Sequence, residues 1–220
     1  MIWLFDLDNT LVDRDDAFAA WASDAVREAG GTSADLAAIV AADDGGFAPK
    51  RDVARVIVER IGGDDDLDAV VSRFRQGILD HVRVYDGVLD HLDVLRGAGH
   101  PVAVVTNGIS AQQRGKIERC RIAPHVDAVV VSGEEGVSKP DPRIVEIALD
   151  RLGVGDVDRR EVWMVGDAAH ADVAVGRAAG TRTGWVSHGR TWEGGARPDV
   201  VGPTAREVIA AAASPAFRRV

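Results

Sequence analysis

Short apolar runs that end in polar residues recur along this chain and predict the strands of a buried sheet. The first run, Ile2-Trp3-Leu4-Phe5, is followed directly by Asp-Leu-Asp-Asn-Thr. An apolar run without alternating polar positions is typical of a strand that is buried on both faces. Four more runs are predicted as strands, of which the last is the weakest: 101–105, 128–131, 161–165 and 183–186.

Amphipathic segments of helical length accompany these runs in the second half of the chain. Their apolar residues recur at the spacing of a helix face that packs on a core. The alternation of strands and helices predicts a doubly wound α/β fold, in which a parallel sheet carries helices on both faces and binds ligands at the carboxyl ends of its strands. The predicted helices are 88–98, 110–119, 142–152, 169–179 and a last one that includes 210–213.

Residues 14–85 interrupt this alternation, because they contain helical patterns and no convincing strand. Apolar stripes at 18–29, 53–61 and 67–82 each end near glycine or a change of pattern, and 43–46 is predicted as a loop. We therefore predict a small helical domain, 14–85, inserted into a core domain formed by 1–13 and 86–220. Since the insert begins and ends beside the tip of the first strand, we expect it to lie over the groups at that tip.

The composition is that of a soluble globular protein, with 46% hydrophobic and 28% charged residues among 220. A net charge of -9 disfavours nucleic acid as a partner, since the phosphate backbone would be repelled. The sequence lacks the roughly 20 consecutive apolar residues of a membrane span and the basic start of a secretory signal. One cysteine, Cys120, forms no disulfide within the chain. These features predict a cytoplasmic protein with neither a nucleic-acid nor a membrane partner.

Polar side chains follow several of the predicted strands, and two of them are closely spaced aspartates. Asp6 and Asp8 lie two residues apart, which places both carboxylates on one side of an extended segment. Taken alone, the pair is more typical of a solvated turn or strand end than of a site. Because the carboxyl ends of parallel strands meet at one edge, we expect the loops that follow these strands to meet there and to bring their polar residues to the pair. Those residues are Thr106, Asn107, Lys139, Asp167 and Asp172.

Such a cluster predicts a magnesium site beside a group of hydrogen-bond donors. Carboxylates brought close together repel one another, and Mg²⁺ relieves the repulsion because it prefers oxygen ligands and also accepts a phosphate oxygen. Thr106, Asn107 and Lys139 would bind the remaining phosphate oxygens. Lys139 would be interpreted as an ordinary surface lysine if the other polar segments were absent, but they are present. The scarcity of lysine, with only Lys50 and Lys116 besides, slightly favours a role for Lys139 in the site.

Four polar segments occur in order along the chain: Asp6-Leu7-Asp8-Asn9-Thr10, Thr106-Asn107-Gly108, Lys139-Pro140-Asp141-Pro142, and Gly166-Asp167 through Asp172. Together they resemble the four motifs of the haloacid dehalogenase-like (HAD) hydrolase superfamily, over about residues 2 to 190. The combination is far more specific than any one of the segments. The resemblance implies a Rossmann-like core with a helical cap domain inserted between the first and second motifs, where residues 14–85 lie.

The resemblance also implies a role for each motif residue. Asp6 would be the nucleophile that forms an aspartyl-phosphate, and Asp8 would protonate the leaving oxygen and then activate water. Magnesium would be held by the Asp6 carboxylate, the Asp8 backbone carbonyl and Asp167, with Asp172 supporting the waters of the metal. Thr106 and Lys139 would bind the phosphate, and Asn107 would contribute its amide.

Asp8 separates two chemistries within the superfamily. The dehalogenases carry a tyrosine at this position, because displacement of halide needs no protonated leaving oxygen. The resemblance therefore implies a magnesium-dependent phosphatase that acts on a small-molecule phosphate ester. A phosphomutase and a catalytically idle binding protein stay open as alternatives. A signalling receiver domain is disfavoured, because receivers are about half this length and carry the acceptor aspartate on a middle strand. The natural substrate and the oligomeric state are left open.

Overall fold

The computed structural model describes residues 1–63, 66–214 and 217. The chain divides into two compact units, one made of Met1–Val12 with Val84–Val220 and the other of Asp13–Arg83. Within the described ranges, every helix is too short or too polar to cross a membrane.

A six-stranded, fully parallel sheet organises the first unit. Its strands are β1 Ile2–Phe5, β2 Val102–Thr106, β3 Ala128–Val131, β4 Val162–Gly166, β5 Arg182–Val186 and β6 Val200–Gly202. They lie in the order β3-β2-β1-β4-β5-β6. The predicted doubly wound sheet is confirmed, and each of the five predicted strands is present with its ends shifted by at most one residue, whereas the sequence analysis missed β6.

The position of β1 determines where a ligand binds in this sheet. The chain proceeds from β1 outward through β2 and β3, and then returns to place β4 on the other side of β1. The strand order therefore reverses between β1 and β4. A crevice opens at such a switch point, outside the carboxyl ends of the two strands.

The helices follow the predicted stripes closely in most places. The features that differ from the prediction include the helix Ser33–Asp43, the short helix Ser132–Glu135 and a 3₁₀ turn at Asp44–Gly46 in place of a loop. The helix predicted at 169–179 is also different, because it consists of a π-helical turn, Ala169–Val173, followed by a short α-helix, Ala174–Ala178. The helices are α1 Arg14–Glu28, α2 Ser33–Asp43, α3 Lys50–Ile61, α4 Leu67–His81, α5 Val88–Gly97, α6 Ser110–Arg119, α7 Ser132–Glu135, α8 Arg143–Arg151, α9 Ala174–Ala178 and α10 Ala205–Ala212.

Both faces of the central strand are buried, which explains its uninterrupted apolar sequence. Because side chains alternate along a strand, Ile2 and Leu4 point to one face and Trp3 and Phe5 to the other. Ile2 and Leu4 belong to a core with apolar residues of α8 and α9. Trp3 stacks on Phe5 and on Trp163 of β4, at ring-centroid distances of 5.9 and 5.8 Å. Burial on both faces makes β1 a rigid base for the residues that follow it.

The second unit is built from α1 to α4 around an aromatic cluster. Phe18 and Trp21 of α1 contact Phe74 of α4, at ring-centroid distances of 5.8 and 5.9 Å. Gly77 allows α4 to approach this closely, because a Cβ atom there would lie 1.9 Å from Cδ1 of Trp21. A glycine in a helix interior is destabilising by about 1 kcal/mol relative to alanine, and the close packing accounts for its presence.

Candidate active site

The two aspartates of the first motif are held by a tight turn at the end of β1. The Asp6 N–H donates to the Val165 carbonyl of β4 (2.8 Å), so the backbone at Asp6 still belongs to the sheet. The N–H groups of Leu11 and Val12 then donate to the Leu7 carbonyl at 2.9 and 3.0 Å. The backbone of Asp6 is thereby anchored at the switch point, and a hydrogen-bonded turn follows it.

A buried lysine from the third motif joins two of the carboxylates. The Lys139 ammonium donates to Asp6 Oδ1 (2.6 Å), to Asp172 Oδ1 (2.7 Å) and to the Val105 carbonyl (2.8 Å). An ammonium has three N–H donors, and all three are used here. Its side chain is only 2% exposed. Lys139 is therefore a fixed positive charge within the acidic cluster.

Burial controls the charge balance around Asp6. Burial raises the pKa of Asp6 to about 7, against the opposing effect of the Lys139 charge. Burial alone would lower the pKa of Lys139, but the charges of Asp172 and Asp6 raise it above its usual value. Lys139 therefore stays charged at neutral pH and partly compensates the carboxylate beside it.

Asp167 extends the acidic cluster from the neighbouring strand. It follows β4 directly, its carbonyl accepts from the Trp185 indole N–H (2.8 Å), and its carboxylate accepts from Arg190 (3.0 Å). Burial, together with the charges of Asp172 and Asp6, raises its pKa to about 8. Lys139 and Arg190 only partly offset the repulsion among the carboxylates of the cluster, so an additional cation here would reduce it further.

Asp172 is fully buried and is held at both oxygens. Oδ1 accepts from Lys139, and Oδ2 accepts from the Ala168 N–H (2.9 Å). The carboxylate lies so close to the end of β4 that a Cβ atom on Gly166 would be 2.1 Å from Oδ2. A glycine is therefore required before Asp167, and Asp172 is placed to orient Lys139.

The acidic cluster fits the ligand requirements of a magnesium ion. One carboxylate oxygen from each of Asp6, Asp167 and Asp172 lies within 4.8 Å of the other two. Mg²⁺ prefers oxygen ligands and is commonly bound by one or two carboxylates together with waters. Since both Asp172 oxygens already accept hydrogen bonds, Asp6 and Asp167 are the better placed to supply ligands.

The second motif contributes Thr106, which Gln113 links to Asp8, and Asn107, which supports the main chain of Lys139. Thr106 ends β2 and is buried, and its hydroxyl accepts from the Gln113 amide (2.7 Å). Asn107 bonds the main chain of Lys139 at both ends of its own amide, donating to the carbonyl and accepting from the N–H at 2.9 Å each. In this structure Asn107 thus fixes the backbone that carries the lysine.

Three side chains that the sequence analysis did not assign to the site also contact its carboxylates. Lys116 and Gln113, both on α6, contact Asp8, and Arg190 contacts Asp167. The scarcity of lysine was the available indication for Lys116, since two of the three lysines in the chain bind aspartates of the first motif. Neither Gln113 nor Arg190 stands out in the sequence.

The parallel sheet and the acidic cluster at its switch point define an α/β protein with an aspartate-based site. The model of the haloacid dehalogenase-like hydrolase family matches residues 3–186. The chain therefore belongs to the haloacid dehalogenase-like hydrolase family.

Individual relatives cover different shares of the chain. A phosphoserine phosphatase from Thermus thermophilus is 40% identical over 119 residues, which are 54% of this chain and 47% of the relative. The pyrimidine 5'-nucleotidase YjjG of Escherichia coli is 37% identical over 119 residues, or 54% of this chain and 49% of the relative. The chain spans about half the length of these curated relatives. The solved structure of YfnB from Bacillus subtilis, bound to magnesium, has a TM-score of 0.78 at 19% identity and covers 96% of this chain and 97% of that chain, which shows a shared fold.

Proposed function

We propose that this protein hydrolyses phosphate monoesters of small molecules, with Asp6 as the nucleophile. The observation that carries the proposal is the buried Asp6 carboxylate, held 2.6 Å from the Lys139 ammonium at the switch point of the sheet. A carboxylate attacks an anionic phosphate only where neighbouring positive charge offsets the repulsion. The phosphoserine phosphatase and the 5'-nucleotidase among the relatives support this chemistry.

Magnesium would be held by the Asp6 carboxylate, the Asp8 backbone carbonyl and Asp167. When bound, the ion supplies positive charge that masks the repulsion between the nucleophile and the phosphate oxygens. The raised pKa values of Asp6 and Asp167 support binding of an additional cation here, because they show that neighbouring positive charge does not fully offset the charge of the two carboxylates. YfnB, with the same fold, binds magnesium.

Two displacement steps complete the proposed reaction. In the first, Asp8 starts protonated: an Asp6 oxygen attacks phosphorus, the bond from phosphorus to the ester oxygen breaks, and Asp8 gives its proton to the departing oxygen and becomes a carboxylate. In the second, Asp8 takes a proton from water, whose oxygen attacks the same phosphorus and releases inorganic phosphate from Asp6. Asp6 and Asp8 then return to their starting states.

The surrounding residues hold the transferring group. Lys139 keeps its bond to Asp6 and exchanges another of its three acceptors for a phosphate oxygen, and Thr106 donates its O–H to a second phosphate oxygen, since its hydroxyl already accepts from Gln113. Asn107 and Asp172 position Lys139 from opposite ends, at the main chain and at the ammonium. The helical unit Asp13–Arg83, inserted between the first and second motifs, is the cap that selects the substrate.

The direct test is phosphate release from a panel of esters, with Mg²⁺ and with EDTA. The panel includes an aryl phosphate, phosphoserine, pyrimidine 5'-nucleotides, sugar phosphates and phosphoglycolate. We expect release that requires Mg²⁺ and that differs among the esters, so that their rank order identifies the substrate class. Absence of release from every ester in the presence of Mg²⁺ would contradict the proposal and favour an idle binding protein or a phosphomutase.

Metal binding can be measured separately from turnover, by thermal melting of Asp167→Asn. For the unchanged protein, Mg²⁺ at a hundredfold excess over its Kd should raise Tm by about 5 to 10 °C. Asp167→Asn should lose most of this shift, yet melt no lower than the unchanged protein in EDTA, because the variant removes a buried charge that its neighbours repel. Asp158→Asn, at an exposed aspartate, is the control and should keep the shift. An equal shift in Asp167→Asn would exclude this residue as a ligand.

A further inference from the structure

We propose that Lys116, assisted by Gln113, is a positioning residue that orients the Asp8 carboxylate for proton transfer. The inference rests on the proposed function, because Asp8 must act as acid and base for its orientation to matter. Neither residue belongs to the four motifs, and both lie on α6, which begins four residues after the end of β2.

The Lys116 ammonium donates hydrogen bonds to both carboxylate oxygens of Asp8. Its nitrogen lies 2.7 Å from Oδ1 and 2.6 Å from Oδ2, and it also donates to Gln113 Oε1 (2.9 Å). These three acceptors match the three N–H donors of an ammonium. A carboxylate bound at both oxygens by one cation has little freedom to rotate, so the contact fixes the direction of the Asp8 oxygens.

Gln113 connects this pair to the second motif. Its amide nitrogen donates to Asp8 Oδ2 (3.1 Å) and to Thr106 Oγ1 (2.7 Å), while its oxygen accepts from Lys116. Gln113 and Lys116 are three residues apart, which places them on the same face of α6. The helix therefore ties the proton-transfer group to the threonine that binds the phosphate, across more than 100 residues of sequence.

The burial of Lys116 indicates that this arrangement serves the site. The lysine side chain is 4% exposed, whereas that of Asp8 is 26% exposed. A buried ion pair stabilises a fold little, because removing two charges from water offsets their attraction. An apolar side chain at this position of α6 would stabilise the fold at least as well as the ion pair does. The exposure of Asp8 leaves part of its carboxylate open to solvent while Lys116 holds the rest.

Loss of Lys116 should therefore lower turnover without weakening substrate binding. In Lys116→Met the apolar stem is kept and the ammonium is removed, so Asp8 samples orientations that do not transfer a proton. With an aryl phosphate as substrate, we expect kcat to fall by about ten- to a hundredfold and KM to change by less than about threefold. Arg114→Met is the matched control, because Arg114 lies on the same helix and pairs with Glu134 outside the site. It should retain the kcat of the unchanged protein.

A double-mutant cycle with Asp8→Asn shows whether Lys116 acts through Asp8. Adding Lys116→Met to Asp8→Asn should reduce kcat by less than about twofold, because the group that Lys116 orients is already lost. A full, additive loss in the double variant would overturn the proposal, as would an unchanged kcat in Lys116→Met, whether or not its Tm falls. If the unchanged protein releases no phosphate from any ester, the proposed function itself has failed, and that result is distinct from an active protein that is indifferent to Lys116.

Discussion

Asp6→Asn is expected to reduce phosphate release by at least about a thousandfold, because an amide cannot replace the attacking carboxylate oxygen. The variant should still fold. Asparagine has the size of aspartate, and its Oδ1 can accept the hydrogen bond from Lys139 that Asp6 accepts in this structure. Removal of one buried carboxylate also relieves its repulsion with Asp172. The measurement is initial-rate phosphate release with Mg²⁺, together with a thermal melt.

The control for this variant is Asp158→Asn, the same chemical change at an exposed aspartate that starts a 3₁₀ turn. Asparagine also caps such turns, so we expect the rate and the Tm of the control to match those of the unchanged protein. Turnover by Asp6→Asn within tenfold of that of the unchanged protein would rule out Asp6 as the nucleophile. A low rate accompanied by a much lower Tm would be attributed to unfolding. Comparing the Tm of Asp6→Asn with that of the control therefore separates the loss of the nucleophile from the loss of the fold.

The sheet and its acidic edge could be predicted because their determinants are local in sequence. β1 is four buried residues followed directly by Asp6, and similar apolar runs mark β2 to β5. The parallel fold then brings the ends of these strands together without any knowledge of side-chain contacts. That is why Asp6, Thr106 and Asp167, each at or directly after the end of a strand, could be grouped before their distances were known.

Elements with weak local patterns could not be predicted. β6 is three residues long, Val200–Gly202, and its central residue is half exposed, so it presents no apolar run. The helix α2 begins at a capping box formed by Thr32 and Asp35, in which aspartate replaces the usual glutamate or glutamine. The helix also buries few of its residues, so it shows no clear apolar stripe.

The partners of the site residues depend on tertiary contacts, which the sequence does not encode locally. Asn107 is predicted to lend its amide to phosphate, and the sequence gives no sign that its side chain also bonds the main chain of Lys139, 32 residues away. Lys116 reaches Asp8 over 108 residues. The motifs predict which residue types gather at the edge, whereas the packing of α6 and of the Lys139 loop decides which of them touch.

Lys139→Met should destabilise the protein strongly at pH 8 in EDTA. The lysine supplies the buried positive charge between Asp6 and Asp172, and breaking a buried ion pair by removing one partner costs about 3–5 kcal/mol. Urea unfolding measures the difference in the free energy of unfolding from the unchanged protein. The EDTA keeps divalent ions from substituting for the missing charge.

The same variant should recover much of its stability at pH 5. Burial already raises the pKa of Asp6 from 3.8 to about 7 with Lys139 present, and loss of the lysine raises this pKa further. Up to about pH 7 the folded forms of both proteins hold Asp6 protonated and lose stability equally, whereas above about pH 7 only the variant, with its higher Asp6 pKa, continues to lose it. The deficit relative to the unchanged protein should therefore be smaller at pH 5 than at pH 8.

Combining Lys139→Met with Asp6→Asn tests whether charge, and not lost packing, causes the deficit. The double variant removes both the ammonium and one of the carboxylates that it compensates, so it should be more stable at pH 8 than Lys139→Met alone, and its pH dependence should be weaker. If the loss of stability came instead from poorer packing of the new side chain at position 139, the second substitution would not restore it. Equal deficits at pH 5 and pH 8, or a double variant no more stable than the single one, would contradict the electrostatic account of this site.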